Sequence, residues 1–141
     1  MISKELKEII TALEGKGKML FQEGVSEDQI AEFEEMNGFH FPSQFKEWLL
    51  FSDGGECFVP AGVQFYGIAH KPAINVDNDD RPNDHYVVIG ALSDGDPVLC
   101  EKDKDQISVY NLEAGRIEED EIYKDFFTFL REMKDLLDIE E

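Results

Sequence analysis

The sequence predicts an α+β protein, helices packed against one mainly antiparallel sheet, and three observations carry that reading. Apolar residues recur at helical spacing in the first third of the chain and again near its end. Between them lie short runs that alternate like strands. Those runs follow one another too closely to leave room for crossover helices, so an antiparallel meander is expected. At 141 residues the chain is expected to form one domain over 1–141. Its 42% hydrophobic content, with eleven Phe, supplies a core without metal or disulfide staples.

The helices dominate the first third. Leu6, Ile9, Ile10 and Leu13 share one face of a helix over residues 3–14, with Ser3 placed to cap it and Gly15 to end it. Residues 16–24 read as a loop, although Met19, Leu20 and Phe21 call for something to pack against. Ser26 opens a second helix with the capping-box order Ser26-Glu27-Asp28-Gln29, its acids at the positive end of the helix dipole. Ile30, Phe33 and Asn37 are its expected inner face and Gly38 its left-handed stop. A third helix has Pro42 in its first turn, Phe45, Trp48, Leu49 and Ser52 along its face, and Gly54 and Gly55 at its close.

Strands occupy the middle. Residues 63–66 alternate between Gly62 and Gly67, and further strands are expected over 86–92, 98–101 and 107–112. Asp94-Gly95 marks a hairpin, and Ala114-Gly115 turns the chain into a short strand over 116–119. Residues 71–85 are polar, acidic and rich in turn formers, and read as a long exposed loop of functional interest. A last helix is expected over 123–137, with Phe126, Phe129, Leu130, Met133 and Leu137 on its apolar face and the acids 118–121 leading into its N-terminus.

Charge narrows the function classes. Thirteen Lys and Arg against thirty-two Asp and Glu leave a formal charge of −19. Such a chain repels nucleic-acid phosphates and anionic lipid heads, and attracts a basic protein partner by electrostatic steering. The same acidity also suits a protein that merely stays soluble, and net charge alone names no partner. The N-terminal stretch is charged and helical in pattern, unlike a signal peptide, and no run approaches the ~20 apolar residues of a membrane span. A cytoplasmic protein is expected, with Cys57 and Cys100 as reduced, buried thiols.

No motif for catalysis emerges. His40, His70 and His85 sit in separate segments without metal-ligand spacing. Asp77, Asp79 and Arg81 begin like a calcium loop, but Pro82 stands where the sharp glycine turn is needed and Val88 where the bidentate Glu belongs. There is no GxSxG elbow, P-loop or GxGxxG. Neither a metal, a cofactor nor an enzyme activity is expected. Phe33, Phe45, Trp48 and Phe51 are read as core residues.

A family resemblance sits on the stretch from Ser26 to Glu56. Its pattern is Ser26-x3-Ile30-x2-Phe33-Glu34-x3-Gly38-Phe39-x-Phe41-Pro42-x2-Phe45-Lys46-x-Trp48-Leu49-x-Phe51-Ser52-Asp53-Gly54-Gly55. Tyr66-Gly67, the strand Val87-Val88-Ile89-Gly90, the turn Gly95-Asp96 and the closing Phe126-x2-Phe129-Leu130 continue it, so the likeness spans about residues 20–135. This resembles the SUKH superfamily, the Smi/Knr cell-wall-regulator domain. Phe41 replaces the usual Leu before the Pro, Phe45 the common Tyr, and Ser52-Asp53 the frequent Asn before Gly-Gly. These changes keep apolar volume and turn-forming ability.

The resemblance implies an α+β fold in which Gly38, Pro42, Trp48, Gly54 and Gly55 are scaffold. It also implies a role. Bacterial members are commonly immunity proteins for polymorphic toxins, often nucleases, and fungal members serve as signalling scaffolds. The expected function is therefore neutralisation of a cognate toxin domain by direct contact, with acids competing for its phosphate-binding surface. The acids expected to make that contact are Glu56, Asp77, Asp79, Asp80, Asp84, Asp94 and Asp96. Tyr66 and Tyr86 could anchor it, although core or edge packing suits them better. The alternative is a regulatory scaffold module with several partners and no catalysis.

Overall fold

A computed structural model describes residues 3–15, 17–57, 62–68, 86–92, 95–101, 104–111 and 113–136. Helix α1 (Lys4–Glu14) is followed by strand β1 (Met19–Leu20), helices α2 (Glu27–Asn37) and α3 (Ser43–Phe51), and strands β2 (Gly55–Cys57) and β3 (Val63–Phe65). Strands β4 (Tyr86–Leu92), β5 (Pro97–Glu101), β6 (Ile107–Asn111) and β7 (Arg116–Tyr123) then lead into helix α4 (Phe126–Leu136). Among the described residues the strands form one seven-stranded sheet in sequence order, every neighbouring pair antiparallel. The meander expected from the short spacing is the observed topology.

Local chemistry explains the helix boundaries. The Ser3 hydroxyl accepts from Leu6 N, and Ser26 and Gln29 complete the capping box that opens α2. Gly38 ends α2 at φ +71°, as its position predicted. Pro42 is not inside the first turn of α3 but immediately before it, at the N-cap. Its missing N–H costs nothing there, and its carbonyl accepts from Lys46 N at 3.0 Å.

Register sorts the sheet into two faces. Cross-strand rows Val87–Cys100–Ile107–Tyr123 and Phe65–Gly90–Val98–Val109 point to the helices. They share one core with Leu6, Ile9, Ile10 and Leu13 of α1, Ile30 of α2, Phe45, Trp48 and Leu49 of α3, and Phe126, Phe129 and Leu130 of α4. A continuous aromatic line runs Phe33–Phe41–Phe45–Phe126–Phe65–Phe129–Tyr123, with successive ring centroids 5.1–6.2 Å apart. Phe51, the residue off the α3 stripe, packs edge-on against Phe21 and Trp48.

Four expectations need correction. Residues 16–24 are not simply a loop. Met19 and Leu20 pair with Cys57 and Glu56 as β1, a strand too short to show alternation. Asn37 is only half-buried, and Glu34 takes the buried position on α2 instead; Ser52 is buried as expected, though as the C-cap of α3 rather than within it. The acids 118–121 do not lead into a helix but lie inside β7. Tyr123 consequently belongs to the sheet, paired with Ile107, and α4 starts three residues later. Its start is fixed by Asp125, whose carboxylate accepts from Thr128 N at 2.8 Å, and by Gln44, whose side-chain oxygen accepts from Phe127 N at 2.8 Å. The long loop expected over 71–85, Leu112, Leu137 and the side chain of Met133 lie outside the described residues.

Candidate partner-binding surface

The expected contact acids divide in two. Asp77, Asp79, Asp80, Asp84 and Asp94 lie outside the described residues, as do His70 and His85. Glu56 is the middle residue of β2, in register with Leu20 on one side and Gln64 on the other. The row continues to Ala91 and Pro97, so it crosses the sheet face opposite the helices. Asp96 precedes Pro97 at the β4–β5 turn, where its carbonyl accepts from Leu92 N and Gly95 takes φ +99°. Glu56 and Asp96 therefore stand at the same end of the sheet, three strand spacings or about 14 Å apart. Tyr66 and Tyr86 are both partly buried, and Tyr66 packs against the core.

Three of the motif residues expected to be scaffold, Trp48, Gly54 and Gly55, meet with Ser52 and Asp53 in one polar knot at the end of α3. Trp48, fully buried, donates its indole N–H to the Gly54 carbonyl at 2.8 Å, and the Ser52 hydroxyl donates to the same oxygen at 3.0 Å. The Ser52 hydroxyl in turn accepts from Gln22 N, and buried Asp53 accepts from Ile68 N at 2.6 Å. Gly54 and Gly55 sit at φ +89° and +100°, and a Cβ on Gly54 would lie 2.6 Å from the Phe65 carbonyl. Only glycine meets both demands. Residues 22–25 are stitched to the same place through Asp53 N to Glu23 O and Val25 N to Leu49 O. Gly24 is required there because a Cβ would overlap the Leu50 carbonyl.

A second acidic feature escaped the reading of the sequence. Helix α2 carries five acids and no Lys or Arg. Glu27, Asp28, Glu32 and Glu35 are exposed, while Glu34 is buried at 6% exposure. Its carboxylate accepts from Phe41 N at 2.6 Å and lies 3.6 Å from Lys46 Nζ on α3. It thus ties the short α2–α3 connection to both helices. Between them runs a cleft of about 310 Å³ lined by Glu27, Ile30, Ala31, Glu34, Ser43, Lys46, Glu47 and Leu50. Glu47 is held too: its Oε1 accepts from Ser3 N at 2.5 Å, across from α1. The available signal was an acid four residues after Ile30 on the apolar stripe of α2.

The described residues carry no group of three or more His, Cys, Asp or Glu arranged to hold a metal ion. Cys57 and Cys100 are buried on β2 and β5, and burial pushes both thiols up to about 12. A thiol so shifted supplies no thiolate at neutral pH. No described helix is long and apolar enough to cross a membrane.

Helices laid on one face of an all-antiparallel meander, with a Trp–Gly-Gly knot closing the third helix, define a small α+β class of protein. The SMI1 / KNR4 family (SUKH-1) matches residues 24–132, well over half of the chain, and the chain belongs to that family. Helix α1 and strand β1 precede the matched segment. A comparison with curated proteins returns no match.

Proposed function

We propose that this protein is an immunity-type member of its family, which neutralises a cognate toxin domain by direct contact and transforms no substrate. The observation that carries the reading is the excess of carboxylates, a formal −19 over the chain, on a fold whose family includes many such inhibitors. A nuclease or other toxin that handles phosphates needs a cationic surface, and a rigid carboxylate surface competes for it. Glu56, Asp77, Asp79, Asp80, Asp84, Asp94 and Asp96 are the proposed contacts, joined by the exposed acids of α2. The chain works as one domain, in the cytoplasm where the toxin would act. It needs no cofactor, and like charge disfavours direct binding to nucleic acid or anionic membranes.

Co-expression with the product of the adjacent reading frame tests this. Rescue of growth together with a stable one-to-one complex supports immunity. Absence of rescue, with weak capture of several unrelated proteins instead, supports the scaffold role.

A further inference from the structure

The α2–α3 cleft combines two kinds of wall. Ile30, Ala31 and Leu50 are apolar, whereas Glu27, Glu34 and Glu47 line it with carboxylates beside Lys46, and outside the lining His40 Nδ1 stands 3.7 Å from Glu34 Oε1. Two of these carboxylates are positioned in advance. Glu34 is buried and bonded to Phe41 N, and Glu47 is bonded to Ser3 N. Acceptors fixed by backbone N–H groups lose little freedom when a ligand arrives. The cleft already draws a cation of its own: Lys46 Nζ approaches Glu34 Oε2 to 3.6 Å, near enough for ion pairing and too far for a direct hydrogen bond.

We propose that this cleft seats a basic side chain of the partner, an arginine or lysine, its apolar stem against Ile30, Ala31 and Leu50 and its cationic head among Glu27, Glu34 and Glu47. The inference rests on the reading above that the partner is a basic protein. The shape fits such a guest: a volume of about 310 Å³ is small for a cofactor and suited to one long side chain. Lys and Arg lay their methylene stems on apolar surface while the head stays with charge. Arginine is the better guest, because its planar fork donates to two carboxylate oxygens at once.

Hexaarginine is the probe, titrated into the full chain at low salt and followed by methyl NMR. The Ile30 and Leu50 methyl signals are expected to shift saturably. Glu27→Gln should weaken binding about threefold more than Glu32→Gln, which removes the same charge from the same helix outside the cleft. Ala31→Phe, which fills the cleft without altering charge, should weaken binding about fivefold, and the glutamine pair decides the matter if the bulky residue disturbs the fold. Binding that treats both glutamine variants alike and leaves the Ile30 and Leu50 signals unmoved overturns the cleft assignment while leaving a basic partner standing. No binding of hexaarginine at all overturns both.

Discussion

The indole N–H of Trp48 donates to the carbonyl oxygen of Gly54 at 2.8 Å, six residues further along the chain. That bond couples the largest buried side chain of the core to the tight turn that sends α3 into β2. Gly54 makes that bond from φ +89°, a conformation that L side chains rarely adopt. Trp48 and the Gly-Gly pair are thus one device: the ring fills the space under the sheet, and its polar edge holds the turn.

Trp48→Phe keeps most of the apolar volume and removes the donor. The loss of a buried hydrogen bond and of part of a ring is expected to cost about 2–3 kcal/mol. Gly54→Ala meets both an unfavourable φ and the Phe65 carbonyl, and is expected to cost at least about 2 kcal/mol. Urea unfolding followed by tryptophan-independent far-ultraviolet dichroism checks both, the midpoint falling with little change in slope.

Glu34 is a buried acid whose hydrogen bond holds the α2–α3 connection. Glu34→Ala leaves Phe41 N without its acceptor and Lys46 without its counter-charge, and is expected to destabilise the fold by about 2–3 kcal/mol. Glu34→Gln retains an acceptor oxygen and should lose less than half of that. Equal losses in the two variants would show that the carboxylate does not hold the turn.

The two thiols predict an alkaline limit to stability. Their folded values, about 12, lie above the ordinary 9.0, so the protonated form is favoured by folding. Their contribution is complete below pH 9 and declines as pH rises from there toward 12. At neutral pH a thiol reagent such as dithionitrobenzoate should label neither cysteine in the folded protein and both after unfolding, and rapid labelling under native conditions would refute their burial.

Asp125 predicts the opposite limit. Burial pushes its carboxyl up, but the Thr128 hydroxyl and amide, the charge of Lys124 and the Gln44 amide outweigh this and hold it below 3.8. A lowered folded value means the contribution is present above pH 3.8 and is lost as pH falls further. Asp125→Ala should cost about 1 kcal/mol at pH 7, as for other N-caps. The cost should shrink at acid pH, where thermal melting of the two proteins should converge.

Much of the fold could be read in the sequence because its signals are local. Ser3, Ser26 and Gly38 mark helix ends through hydrogen bonds made within a few residues, and Leu6, Ile9, Ile10 and Leu13 show their face by spacing alone. What escaped was set by distant partners. Met19 and Leu20 are a strand only because Glu56 and Cys57 lie beside them. The acids of β7 look like a helix start, yet pairing of Ile122 and Tyr123 with Ser108 and Ile107 overrides that local preference. In the sequence, contact surfaces show only as clusters of like residues, and these point to the acidic stretch around Asp79. The α2–α3 cleft instead depends on packing that brings Glu27, Glu34 and Glu47 around Leu50, and an acid on an apolar stripe was its sole trace.

The most direct test of the account is the association rate of this protein with the product of the adjacent reading frame, measured by stopped flow across a salt series. If surface carboxylates meet a cationic counterpart, the rate should fall at least about tenfold between roughly 50 and 500 mM salt. Reversing Asp77, Asp79 and Asp80 to lysine should slow it at low salt and flatten that dependence. A tight complex whose association rate is indifferent to salt would contradict the account.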